Sequence, residues 1–265
     1  MKRLFMLTLT ATTLFISCKK DKENENGGIF KGPEVQLHGG KAWTWIHLNK
    51  NGNPLRLAVV INDAALNSLP AGINDHDNHG DHDHSNMDNN RILKFHPKGA
   101  IVPFNHVGLG WNPTGHEPEP IYGKPHFDFH FYMTTPEAVA AIPPYEVDSS
   151  KFKKWPGPDY FPPTYFNPGG GVPQMGAHWL DVTSGEFNGQ AFSQTFIYGS
   201  YDGKVTFYEP MITLDFLKTN SNFERAIPQP SKVQKSGWYP SKLRVVNHDE
   251  LTEIILDAFV YRMQS

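Results

Sequence analysis

The sequence predicts an α+β fold that is predominantly antiparallel β, barrel- or sandwich-like, with short helices and long ordered loops. Three observations carry this expectation. Apolar and polar residues alternate with period two in several short runs, the pattern of a strand with two unlike faces. The 265 residues hold 18 Phe, 10 Tyr, 23 Gly and 22 Pro, which suits short strands joined by turns. Only one cysteine is present, so the fold must rest on its core rather than on disulfides.

The first segment is a leader. Lys2 and Arg3 precede an apolar run from Leu4 to Ile16 that is too short to span a bilayer comfortably. It ends in Leu14-Phe15-Ile16-Ser17-Cys18, similar to a bacterial lipobox with Phe in place of the more usual Leu. Residues 1–17 are therefore expected to be a lipoprotein signal peptide and Cys18 the acylated N-terminus of the mature chain. Several acyl chains on Cys18 would anchor the protein to a membrane without a spanning helix. Residues 18–33 are expected to form a flexible tether, rich in Asn and charge. Lys19, where inner-membrane sorting signals carry Asp, favours an outer-membrane lipoprotein on the periplasmic or surface face.

The formal net charge is −3, and loss of Lys2 and Arg3 with the leader takes it to −5. No basic face suggests nucleic acid as a partner. The remaining chain, 34–265, suits a single β-rich domain.

Lys41 to Leu48 alternates as a strand, Asn51-Gly52 turns it, and Leu55 to Ile61 returns. Asn62-Asp63 then caps a short helix, Ala64 to Leu69, that stops at Pro70. The unit recurs, with Tyr132 to Pro143 reading as strand, capped start, apolar helix and proline stop, and Met211 to Leu217 as a fainter copy. An internally pseudo-symmetric domain of hairpins with appended helices is expected.

Residues 74–90 contain His76, His79, His82 and His84 among aspartates and asparagines. They have too few apolar side chains to bury themselves, so a disordered surface insertion is expected, either a loose metal scavenger or a solvated loop. Ile92 to Phe95 and Ile101 to Val107 follow as short strands. The turn-rich loop Gly110 to Pro118 then carries His116, either exposed or folded over the next strand as a ligand.

The densest chemical signal is Pro125-His126-Phe127-Asp128-Phe129-His130-Phe131-Tyr132. Three Phe make one face; His126, Asp128, His130 and Tyr132 make the other. Next-but-one neighbours on a strand stand about 7 Å apart, whereas His126 and His130 are about 13 Å apart, too far to share one ion without a bulge. Asp128 is therefore expected to ligate with one histidine, the other lying behind it.

Pro143 to Pro173 is Pro-rich and studded with aromatics, an ordered cover that is either a lid or a packing belt. His178 shares strand parity with Leu180 and Val182 and is read as a ligand or a hydrogen-bonded core histidine. Ala191 to Tyr201, Asp202-Gly203 and Lys204 to Met211 form the clearest hairpin. Glu209 shares parity with Val205, Phe207 and Met211, an apolar face where its charge needs a cation or an ion pair. Glu253 to Tyr261 closes the domain as a strand.

Asn105-His106-Val107, Trp111 to His116, Pro125 to Tyr132, Met175 to Trp179 and Phe196 to Gly203 with Glu209 to Thr213 together resemble a family of secreted bacterial proteins and lipoproteins. That family is a domain of unknown function, typified by a protein of a thermophile's extracytoplasmic stress regulon. The likeness runs from about Lys41 to the C-terminus, with 74–90 as an elaboration. It implies a domain without an assigned reaction and allows a homo-oligomer.

Function therefore rests on the residues. The expected metal ligands are His116, His126, Asp128, His130, His178 and Glu209, with Asp128 or Glu209 as general base. Mixed imidazole and carboxylate donors suit a divalent transition metal, Zn, Mn, Fe or Cu, and metal-activated water would allow hydrolysis or hydration of a small molecule. The alternative is a non-catalytic surface binding or assembly module with structural histidines. No GxSxG, HExxH, Walker loop, CxxC or dinucleotide fingerprint is present.

Overall fold

The computed structural model of the chain describes residues 26–72, 89–219 and 222–265. The expected leader, Cys18 and most of the His-rich insertion lie outside the described residues. Within the described residues the chain opens with β1 (Gly28–Lys31), β2 (Val35–Leu37), β3 (Gly40–Leu48) and β4 (Pro54–Asn62). It continues through β5 (Asn90–Lys94), β6 (His106–Asn112), β7 (His126–Tyr132), β8 (Tyr165–Phe166), β9 (Ala177–Asp181), β10 (Gln194–Tyr201) and β11 (Lys204–Thr213). It ends with β12 (Asn222–Ala226), β13 (Gly237–His248) and β14 (Leu251–Arg262). Among the described residues five short α-helices intervene: α1 (Asp63–Leu66), α2 (Glu119–Tyr122), α3 (Pro136–Ala140), α4 (Ser149–Lys153) and α5 (Leu214–Thr219).

The strands form two antiparallel sheets, and neither closes into a barrel. The first runs β1-β3-β4-β14-β13-β12, with β2 on β3; the second runs β5-β6-β7-β11-β10-β9-β8. Ile46, Leu57, Val59, Leu243 and Leu256 of the first sheet share one buried cluster with Phe127, Phe129, Phe131, Phe196 and Tyr208 of the second. The molecule is therefore sandwich-like, and the three phenylalanines of β7 point into the layer between the sheets.

The expected repetition is built into the topology. Each sheet contains two hairpins, β3-β4 with β13-β14 and β6-β7 with β10-β11, and in each the second strands of the two hairpins pair at the centre. Three of those four second strands run into a capped helix. Asn62 accepts from the Ala65 N–H at 3.1 Å, Thr135 from Ala138 at 3.3 Å and Thr213 from Phe216 at 3.2 Å, each quieting an orphan donor of the first turn. Asp202-Gly203 turns β10 into β11 with φ of 49° and 78°, as a two-residue hairpin requires.

Several expectations need correction. Residues 28–31, read as tether, pair with β3 as an edge strand. The insertion read as 74–90 ends earlier, because Asn90 opens β5 opposite Gly110. The strand expected over Ile101–Val107 starts only at His106; Pro97 to Ile101 is a 3₁₀ turn, and Pro103 has no N–H to give a ladder. β13 escapes sequence reading because Pro240 and four charged or amide side chains interrupt its pattern. Val205 and Phe207 do not share a face: the register shifts at Gly199/Ser200, so Val205 packs on the inter-sheet core and Phe207 on the outer cluster. Within the Pro-rich stretch, Phe161 and Tyr165 join the inter-sheet core and Phe161 stacks on Trp179 at 3.9 Å, a packing belt.

Candidate metal centre

The outer face of the second sheet is assembled from alternate residues of its central strands. β7 contributes His126, Asp128, His130 and Tyr132, and β11 contributes Phe207, Glu209, Met211 and Thr213. The register that pairs Tyr208 with Phe131 and Met211 with Asp128 sets Glu209 opposite His130. β6 adds His106, Gly108, Gly110 and Asn112 to the same face, since Val107, Leu109 and Trp111 lie in the inter-sheet core. His178 reaches in from β9, where it pairs with Gly199 of β10.

His116 arrives differently. Two of the other three hairpins turn within two residues and the third within five, but β6 and β7 are joined by the long segment 113–125, which includes α2. That segment folds back so that the His116 ring meets His126 edge-on at 4.7 Å and Tyr122 at 5.9 Å.

These side chains gather into two groups, each of two imidazoles and one carboxylate, and each group could hold a metal ion: His116, His126 and Asp128, and His130, His178 and Glu209. Within each, the ligand atoms lie within 4.8 Å of one another. Nε2 of His126 stands 3.2 Å from Asp128 Oδ1, and Nε2 of His116 stands 3.5 Å from Oδ2. Nε2 of His130 is 3.3 Å from Glu209 Oε1, and Nε2 of His178 is 3.7 Å from Oε2.

All six residues expected from the sequence are thus on one face, but they do not form one site. Asp128 falls in one group with His126 of its own strand. His130 is not behind it: it belongs to a separate group. The reason is the strand rise, which keeps residues four apart on a strand from converging.

The ring orientations favour ligation. His126 Nδ1 lies 2.6 Å from the Lys124 carbonyl, and His116 Nδ1 lies 2.8 Å from the Glu117 carbonyl. A proton on Nδ1, donated to the carbonyl, leaves the Nε2 lone pair facing the carboxylate. Asn112 donates to Asp128 Oδ2 at 2.8 Å and fixes that carboxylate from behind. Close as they are, His126 Nε2, Asp128 Oδ1, His130 Nε2 and Glu209 Oε2 are buried without a hydrogen-bond partner among the described residues. The short distances are therefore approaches without hydrogen-bond alignment. Four orphaned polar atoms in one buried patch are costly, and a cation in each group would satisfy the two that belong to it.

The electrostatics of the two groups differ. Burial pushes the Glu209 carboxyl well above the usual range, helped by the charge of Asp128. Burial likewise holds His130 down to about 4 and His178 to about 3, so burial works against the charged form of every member of this group. Burial also opposes the charge of Asp128, but His126 and His116 outweigh it and hold Asp128 well below the usual range. Burial works against the charge of His116, but the neighbouring Asp128 carboxylate outweighs it and raises His116.

Neighbours that sequence reasoning did not single out complete the site. Phe207 packs its edge on His130 at 4.9 Å and on His178 at 5.2 Å. Its ring fits only because residue 199 is Gly: a Cβ there would stand 2.0 Å from the Phe207 ring. Phe192 covers His126 at 5.3 Å and meets Tyr122 at 5.0 Å. His130 and His106 sandwich the Tyr132 ring at 5.3 and 5.0 Å. The period-two alternation of β6 was the one available signal for His106 and Asn112.

No family model, curated protein or solved structure matches the chain.

Proposed function

We propose that this chain is an envelope lipoprotein whose second sheet carries a metal centre that activates water for hydrolysis or hydration of a small molecule. The single observation that carries the reading is the pairing of two-His-one-carboxylate donor sets with orphaned, buried Nε2 and carboxylate oxygens. Such a set suits Zn, Mn, Fe or Cu and leaves coordination positions for water or substrate. A cation held there supplies Lewis acidity and lowers the pKa of bound water.

The chain's own residues do the rest. If His130, His178 and Glu209 hold the cation, Asp128 is the ionised carboxylate beside them and takes the proton from the attacking water. If His116, His126 and Asp128 hold it, Glu209, whose carboxyl burial raises, would be the proton donor instead. Phe192, Tyr122 and Phe207 exclude bulk water from the floor, and His116 and His178, the half-buried members, mark the solvent side. Acylated Cys18 would fix the domain to the outer membrane.

The test is metal analysis of full-length protein in which His76, His79, His82 and His84 are each replaced by Asn, followed by a panel of esters, phosphates and CO₂. Stoichiometric metal that is lost in His130→Ala and Glu209→Ala supports the reading. Protein that retains no metal after loading and dialysis overturns it and leaves a non-catalytic surface module.

A further inference from the structure

We infer that the two groups are filled together, as a pair of cations that grips an oxyanion of the phosphate class between them. The inference rests on the metal reading above and adds to it a stoichiometry and a ligand class.

The first argument is geometric. Asp128 belongs to one group and His130 to the other, and the two are next-but-one neighbours on β7, about 7 Å apart at Cα. Both side chains leave the same face, so the two centres are adjacent. They are not merged, because each has its own carboxylate and its own pair of imidazoles. Each also has its own orphaned atoms: His126 Nε2 and Asp128 Oδ1 in one, His130 Nε2 and Glu209 Oε2 in the other. A single ion in either group would leave the other pair of buried polar atoms unsatisfied, at a cost of about 1–3 kcal/mol per atom.

The second argument is charge. Two divalent cations bring four positive charges, histidines ligate as neutral imidazoles, and Asp128 and Glu209 supply only two negative charges. A net positive pair on a largely buried floor favours an anion that touches both centres. A phosphoryl group carries the charge and the several oxygens that such a pair would take.

The third argument is access. The floor, His126, Asp128, His130 and Glu209, is buried, whereas the side chains of His116 and His178 are 32% and 19% exposed. Each group therefore has one member on the solvent side, so a ligand entering there meets both centres at once.

The experiment uses full-length protein with the four insertion histidines replaced by Asn, loaded with Zn²⁺ and freed of excess by gel filtration. Two zinc ions per chain are expected, falling to one in His116→Gln and to one in His178→Gln. Inorganic phosphate at millimolar concentration is expected to slow zinc loss to EDTA at least tenfold in the parent, against chloride at equal ionic strength. In either single variant the slowing should be under twofold. One zinc in the parent that survives His116→Gln overturns the pair while the single-centre reading stands. Loss of both ions in either variant, or equal phosphate protection in parent and variants, also overturns the pair. Absence of zinc in the parent overturns both readings. Unchanged far-ultraviolet circular dichroism of the two variants, whose replaced rings lie at the solvent side, keeps the counts interpretable.

Discussion

Glu209 faces His130 across the central strand pair of the second sheet, with Oε1 3.3 Å from Nε2 and both side chains almost wholly enclosed. Neither partner carries its charge easily there: burial pushes the carboxyl up and the imidazole down. Both shifts work against an ion pair in this contact between two metal-ligand types.

Glu209→Gln should stabilise the metal-free protein while removing zinc from its group. The folded-state pKa of Glu209 is raised, so its favourable contribution is complete below about pH 4.5 and is lost as pH rises. At pH 8 with a chelator present, urea denaturation should show the variant more stable by on the order of a few kcal/mol. Equal or lower stability would mean that Glu209 is already ionised in the fold.

Acid should destabilise the same Glu209→Gln protein. His106 and His130 are held at about 4 and His178 at about 3 by burial, so their unfolded forms bind protons first. Their contribution is full above about 6.5 and drains away as pH falls toward 4, at roughly 3 kcal/mol per histidine. His106→Gln should flatten about a third of that slope in denaturation curves taken from pH 7 to 4.

Zinc binding should release protons, because burial raises the Glu209 carboxyl and ligation needs it ionised. Calorimetric titration in buffers of different ionisation enthalpy reads the number directly, and the apparent affinity should rise with pH. Buffer-independent heats would show that the ligands are already deprotonated.

Gly199→Ala tests the buttress behind the two histidines. The new methyl would meet the Phe207 ring at 2.0 Å, and displacing that ring unseats its contacts with His130 and His178. The expected cost is about 1–3 kcal/mol in thermal denaturation, with faster zinc loss. Phe207→Leu in the same background should recover stability but not zinc retention.

Cys18→Ser should move the protein from the membrane fraction to the soluble fraction of cells. Persistence in the membrane fraction would point to an anchor other than acylation.

The strands and ligand types were legible locally. Period-two alternation places Phe127, Phe129 and Phe131 on one face and His126, Asp128 and His130 on the other wherever that strand lies. The hairpins at Asn51-Gly52 and Asp202-Gly203 and the caps at Asn62 and Thr135 were equally visible, because each depends on residues close in sequence. β13 was hidden by Pro240, and the face of Val205 by a one-residue register shift.

By itself the sequence determined which side chains can bind a cation and that no single ion can span His126 and His130, since covalent geometry sets that distance. Tertiary structure alone decided the partnership: that His130 takes Glu209 and His178, while Asp128 takes His126 and the loop residue His116. That choice depends on strand order and register between segments tens of residues apart, which are settled by packing over the whole sheet and not by any local run of residues.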